Sequence, residues 1–385
     1  MRRSLRIVFP VVALSLATNA RPSPAELPIE TPGILWSAES GVSVGEPTYT
    51  EGAVYYGDDL GVVRALDAAT GEERWRHETK SRITESPAID GERVFVTNGF
   101  GVVAMDRTSG ERLWAAAIEH GAGETLPIVA GGQVLAAGYD GKVHAFEPAT
   151  GQPLWEQEFV SDAPPDPEGF SGERARFGNA DARPTGAAAT DSLYVLNVFD
   201  QSRVVAFDIS PEGRGRIVWS YPVGGWTGDS PLFVGDAVYA VSQSKRIACL
   251  DLATGQERWR QQGPTWLAAR PGHFDGTLYV PVHDGRILTF DAATGEPGQT
   301  LAAPDGDGHI YTDPLLTERA IYFPLSRSGR LVALDRTSGE LIWDLGFSAG
   351  TELYTPLRTD GSRIFVSSRG GEGRGQNAIH AVGIE

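Results

Sequence analysis

The sequence predicts an all-β fold, an eight-bladed β-propeller of four-stranded antiparallel blades, and three observations carry that prediction. A frame of Ala, Asp, Gly and Trp recurs along the 385 residues. A ladder of eight prolines runs in step with it. The two ends of the chain supply complementary fragments of one repeat.

The frame is read most easily in Ala65, Asp67, Gly71 and Trp75, and again in Ala104, Asp106, Gly110 and Trp114. It returns as Ala145, Glu147, Gly151 and Trp155, as Cys249, Asp251, Gly255 and Trp259, and as Ala333, Asp335, Gly339 and Trp343. Two copies deviate. Ala206, Asp208 and Trp219 carry a three-residue insertion, and Thr289, Asp291, Gly295 and Gln299 lack the Trp. An apolar strand runs into an Asp-x-x-Thr-Gly turn, where the carboxylate can accept backbone N–H bonds and Gly takes the positive φ. The strand leaving the turn carries a large aromatic ring at a fixed place. Each unit is therefore a β-hairpin that buries a large ring at a fixed place.

A second hairpin precedes each of these, opened by Pro47, Pro87, Pro127, Pro184, Pro231, Pro271, Pro314 and Pro356. Two hairpins make a four-stranded blade, and eight prolines make eight blades. The Trp ladder agrees once Trp36 is included, since Trp36, Trp75 and Trp114 are each 39 residues apart. Trp36 has no third strand before it. Ala381 and Gly383 occupy the Ala and Asp slots at the other end, so the last blade is expected to form from both termini, which hides a sheet edge.

The N-terminus has Arg2, Arg3 and Arg6 ahead of an apolar run from Ile7 to Ala17. This reads as a secretory signal peptide cleaved after Ala20 or Ala25. Residues 26–385 are then expected to form one propeller with an inserted loop at 157–183, secreted or periplasmic and not a lipoprotein. Cys249 is the sole cysteine, which excludes an intramolecular disulfide. A net charge of -17 argues against nucleic acid, whose phosphates require clustered Lys and Arg. No stable membrane insertion is expected, and the propeller is read as a monomer.

These residues resemble the PQQ-repeat, tryptophan-docking propeller family, which includes quinone dehydrogenases and the outer-membrane assembly factor BamB. The resemblance covers nearly the whole mature chain. It implies that Trp36, Trp75, Trp114, Trp155, Trp219, Trp259 and Trp343 dock each blade on the next, and that the motif Asp residues build turns. It also implies that a quinone enzyme of this family would need a vicinal Cys pair, which a single Cys249 in an Ala slot cannot supply.

No Walker loop, His-Glu-x-x-His, Gly-x-Ser-x-Gly or Cys-x-x-Cys motif is present, and the seven His residues are scattered without metal-ligand spacing. No catalytic, cofactor or metal-binding residues are therefore assigned. Function is sought instead in the loops that join the outer strand of one blade to the inner strand of the next. The longest of them stretches the interval from Trp155 to Trp219 to 64 residues. Its Phe170, Arg174, Arg176 and Phe177 are candidate anchors for a protein partner. On the same face Trp226, Trp266, Arg270, Tyr311, Asp313 and Tyr354 are candidate ligand or partner contacts. The leading reading is a non-catalytic extracytoplasmic scaffold that binds a protein of the cell envelope and needs no cofactor. The alternatives are an oxidoreductase using PQQ with Ca²⁺ or another cofactor, and a carbohydrate-binding propeller.

Overall fold

In the computed structural model, each proline of the ladder stands at the start of an innermost strand. Pro47 precedes Thr48–Thr50, Pro87 precedes Ala88–Asp90, and Pro184 itself begins Pro184–Ala189. A residue without an N–H can open a strand but not continue its ladder. The structure describes residues 32–40, 42–122, 125–159, 184–198, 202–225, 230–267, 269–304, 308–370 and 377–384. The leader, the greater part of the long loop with Phe170, Arg174, Arg176 and Phe177, and Trp226 lie outside the described residues.

Blade 1 shows the pattern: Thr48–Thr50, Ala53–Tyr56, Val62–Asp67 and Glu73–Glu78 pair in sequence order as an antiparallel sheet. Six further sheets repeat it from Ala88 to Gly346. Blade 8 joins the ends of the chain, its outer strand Gly33–Ser40 pairing with Asn377–Gly383, which pairs in turn with Arg363–Gly370 and then Arg358–Thr359. Trp36 lies opposite Ala381, as Trp75 lies opposite Ala65, so the closing blade reproduces the register of the others. An additional short strand, Thr351–Glu352, pairs with the far end of Arg363–Gly370.

The turns and rings follow from local chemistry. Asp67 Oδ1 accepts the N–H groups of Ala69 and Thr70 at 2.9 and 3.0 Å, and Gly71 takes φ 75°. Its hydrogen bond from Arg74, with these backbone donors, holds the Asp67 carboxyl down at about 2. The motif Asp residues are thus committed to their turns. Just before each Trp the register shifts by one residue, leaving Arg74 as the extra residue in blade 1, and such a bulge sharpens the local twist. The indole of Trp75 then covers Gly110 of blade 2 and donates Nε1–H to the carbonyl of Arg107 at 2.8 Å. Trp36, Trp114, Trp219 and Trp259 repeat this on the blade that follows each, with acceptors Ala68, Pro148, Leu252 and Ala292.

Three positions depart from the rule. Trp155 covers Gly215 but donates to Gln133 Oε1 of its own blade, where the next turn carries its insertion. Gln299, in the slot that lacks Trp, directs its amide N–H groups to the Thr337 carbonyl at 3.1 Å and the Arg336 carbonyl, the repeat's acceptor slot, at 3.4 Å, and so keeps a bond to the next turn without the ring. Trp343 keeps the ring, and its buried Nε1 has no hydrogen-bond partner among the described residues. Eight apolar clusters fill the spaces between successive blades, one for each adjacent pair including blades 8 and 1. Among the described residues no helix is long and apolar enough to cross a membrane.

The docking contact yields a graded expectation for urea unfolding. Trp114→Phe keeps most of the ring but orphans the Pro148 carbonyl, and should cost about 1–3 kcal/mol. A Cβ on Gly151 would meet that indole at 2.5 Å with φ at 71°, so Gly151→Ala should cost about 2 kcal/mol or more. Gly132 has φ 72° and nothing within 4 Å, so Gly132→Ala should show the backbone term alone, about 1 kcal/mol. Equal losses at the two glycines would remove the docking explanation.

Candidate functional site at the channel mouth

Because each inner strand begins at a proline, the residue before that proline is carried to the axis of the ring. Glu46, Ser86, Leu126, Ser230, Arg270 and Asp313, one from each of six blades, line a single central cavity of about 1060 Å³. Thr355, in the same slot of blade 8, lines a smaller adjoining cavity of about 220 Å³. Glu85, Arg82 and Arg358 complete the charged lining.

Glu46 is the most perturbed of these groups. Its Oε2 accepts the hydroxyl hydrogen of Ser86 at 3.0 Å. Burial raises its pKa, the neighbouring Glu85 raises it further, and Arg358 opposes them, leaving Glu46 at about 7. Asp313 acts on it in the same direction as Glu85. Two acceptors on the blade 7 side have no hydrogen-bond partner among the described residues: Thr312 Oγ1, on a side chain 2% exposed, and Asp313 Oδ1.

Beside the cavity runs a strip of rings. Trp266, 55% exposed, leans on His283 with centroids 5.6 Å apart. His283 lies 4.0 Å from His309 and 5.3 Å from Tyr311, and Tyr311 lies 5.5 Å from Tyr354. His283 Nε2 and the Tyr311 hydroxyl are 2.9 Å apart, and His309 donates Nδ1–H to the His283 carbonyl at 2.5 Å. Burial and the adjacent His309 push the His283 pKa down. The rings are tilted against one another, so Trp266 is the exposed anchor and the others hold it.

Of the residues singled out in the sequence, Trp266, Tyr311 and Tyr354 meet in this strip, while Arg270, Asp313, Tyr311 and Tyr354 line the cavity. His283 and His309, read as scattered, are brought together. Glu46, Glu85 and Arg358 had no assigned role, although the residue before each blade-opening proline was a usable signal for Glu46. Among the described residues no group of three or more His, Cys, Asp or Glu side chains is placed to hold a metal ion. Cys249 is buried in blade 5.

The family model described as outer membrane protein assembly factor BamB matches residues 28–214 and 200–377. The chain belongs to the BamB family. It is 27% identical to the outer membrane protein assembly factor BamB of Burkholderia pseudomallei, over 93% of this chain and 89% of that one. The crystal structure of BamB from Moraxella catarrhalis aligns with a TM-score of 0.69 at 16% identity, covering 92% of this chain and all of that chain. A europium-containing methanol dehydrogenase aligns as well, with a TM-score of 0.70 at 13% identity, over 94% and 95% of the two chains. At such identities these structures establish the shared propeller alone; the family model carries the membership.

A second buried polar group sits within blade 8. His380 lies 2.7 Å from Ser37 Oγ through Nδ1 and 2.7 Å from Ser368 Oγ through Nε2, spanning three strands of the blade that joins the termini. Burial pushes its pKa down to about 4. Glu46 and His380 therefore act in opposite senses. Glu46, raised from 4.5 to about 7, contributes stability below pH 4.5 that is lost as pH rises to about 7. His380, lowered from 6.5 to about 4, contributes stability above pH 6.5 that is lost as pH falls to about 4. Each shift amounts to roughly 3 kcal/mol over its window. Glu46→Gln should therefore gain on the wild type by up to about 3 kcal/mol between pH 4.5 and 7, and expose the acid loss due to His380. Parallel urea midpoints against pH for the two proteins would contradict the Glu46 assignment, and a Glu46→Gln midpoint that does not fall between pH 6.5 and 4 would contradict the His380 one.

Proposed function

We propose that this chain is a non-catalytic extracytoplasmic scaffold for assembling outer-membrane proteins, and that it holds a protein partner on the face around the channel mouth. The supporting observation is a family match that runs through all eight blades, from residue 28 to residue 377. The site chemistry fits this reading. A large exposed indole braced by half-buried rings is the kind of anchor that contributes most at protein interfaces, and the flanking loops are where a rigid scaffold carries its contacts.

Export to the periplasm follows in this reading from the leader, and residues 26–385 act as one propeller. The long loop, with Phe170, Arg174, Arg176 and Phe177, supplies a second contact to the same partner, and Trp226 extends the first. The scaffold requires no quinone.

A photo-crosslinking residue at Trp266 should form an adduct with an outer-membrane assembly protein in envelope preparations. One at Glu92, in a turn joining the inner and second strands of blade 2 and thus at the opposite end of the blade, should not. Tyr311→Ala with Tyr354→Ala should lower the adduct about tenfold, equivalent to about 1.4 kcal/mol of binding. Shortening residues 161–182 should lower it independently. Crosslinking from Glu92 but not Trp266 would place the interface on the wrong face, and quinone-dependent dye reduction by the purified protein would overturn the non-catalytic reading.

A further inference from the structure

We propose that the channel mouth between blades 7, 8, 1 and 2 is a binding site for a primary alkylammonium group, held by Glu46, Glu85, Asp313 and Thr312. This goes beyond the scaffold reading and does not depend on it.

Unmet hydrogen bonding is the first argument. Thr312 Oγ1 and Asp313 Oδ1 are buried acceptors without donors among the described residues, and both residues line the cavity. A buried acceptor left unpaired is costly, and a ligand carrying several N–H donors removes that cost at several acceptors at once. Glu46, whose Oε2 accepts from Ser86, adds a further carboxylate to the lining.

Charge is the second argument. The groups acting most on Glu46 are two carboxylates, Glu85 and Asp313, against one cation, Arg358. Arg358 directs Nη1–H to the Leu357 carbonyl at 3.0 Å. Arg82 and Arg270 also line the cavity. The lining as a whole balances three carboxylates against three guanidinium groups, while two of those carboxylates bear directly on Glu46 with Arg358 opposing them, and the protein as a whole carries -17. A cation entering there allows Glu46 to ionise. The rings of Tyr311 and Tyr354 at the rim suit the alkyl stem and the positive head of such a ligand. An ammonium fits better than a metal ion, because no group of three or more metal-ligating side chains is found among the described residues.

The ammonium could belong to a free amine or to a lysine side chain of a peptide, and titration calorimetry on the full chain separates the two. The probes are cadaverine, a lysine tripeptide blocked at both ends, tetramethylammonium and calcium chloride. Saturable one-to-one binding is expected for cadaverine or the tripeptide, with tetramethylammonium, which has no N–H, at least about tenfold weaker. A tighter tripeptide identifies a protein-borne ligand, and a tighter cadaverine a free amine; either supports the site. At pH 7 binding should release a proton as Glu46 ionises, seen as a binding enthalpy that varies with the buffer. Asp313→Asn and Thr312→Val should each weaken binding about tenfold, and Glu46→Gln should abolish the proton release, with thermal unfolding confirming that each variant is folded. Loss of a variant's fold leaves the test intact, since proton release and the discrimination against tetramethylammonium are read on the unaltered protein. No saturable binding of either amine, equal binding of tetramethylammonium, or binding of calcium in place of the amines would overturn the proposal.

Discussion

The ring depends on one contact, made at six of the eight junctions between blades: the indole of an outer strand laid on the glycine of the following blade's turn. A four-stranded sheet with two apolar faces cannot bury itself, and here every face is covered by the neighbouring blade. Such an arrangement is stable only if the last blade also finds a partner. That is why the pairing of Gly33–Ser40 with Asn377–Gly383 matters more than any other strand pair. The Ala68 carbonyl shows the closure at atomic scale, accepting Nε1–H of Trp36 at 3.1 Å and Nη1–H of Arg363 at 2.7 Å, both from blade 8. Ser367 adds a hydroxyl bond to the Gly45 carbonyl at 2.9 Å. The exceptions at Trp155, Gln299 and Trp343 separate the two halves of the contact. The hydrogen bond can be redirected or lost while the ring stays, and the ring can be lost while the bond stays.

This regularity explains why the fold was legible in the sequence. Trp and Pro recur at positions where the chemistry permits little else: an indole over a glycine at positive φ, and a residue without N–H at the start of an inner strand. The missing third strand before Trp36 pointed directly to Ala381 and Gly383, and the register opposite Ala381 agrees. Trp114 and Gly151 could be paired from their places in the repeat alone. What the repeat did not disclose was the substitution of one contact by another, as at Gln299, because an amide reaching the carbonyls of the following turn leaves no periodic trace.

The site was only partly legible, for a geometric reason. Ring closure brings together residues far apart in the chain, so Glu46 and Asp313 act on one another although nearly the whole propeller lies between them in sequence. Tyr311, Tyr354 and Trp266 were found because large aromatics in connecting loops are conspicuous. His283 and His309 were not, since one sits in a turn within blade 6 and the other in the loop leaving it, with no shared spacing to link them. The slot before each proline supplies a rule that works in retrospect. The scaffold fixes where the slot points, and leaves the side chain free to vary from blade to blade.

That freedom gives meaning to where the local rules are broken. Buried groups without hydrogen-bond partners among the described residues occur elsewhere too, at Thr125, Tyr194, Ser326 and Trp343, but a carboxyl raised to about 7 on blade 1 shares one cavity with a buried hydroxyl and a buried carboxylate oxygen without donors on the blade 7 side. Departures of this kind lower stability and persist where a function requires them. The motif Asp residues make the contrast, since they too are carboxylates repeated around the ring, yet each is satisfied by its own turn and held low in pKa. Charge alone therefore does not mark the site. Unsatisfied charge and polarity, placed by the repeat where the blades converge, does.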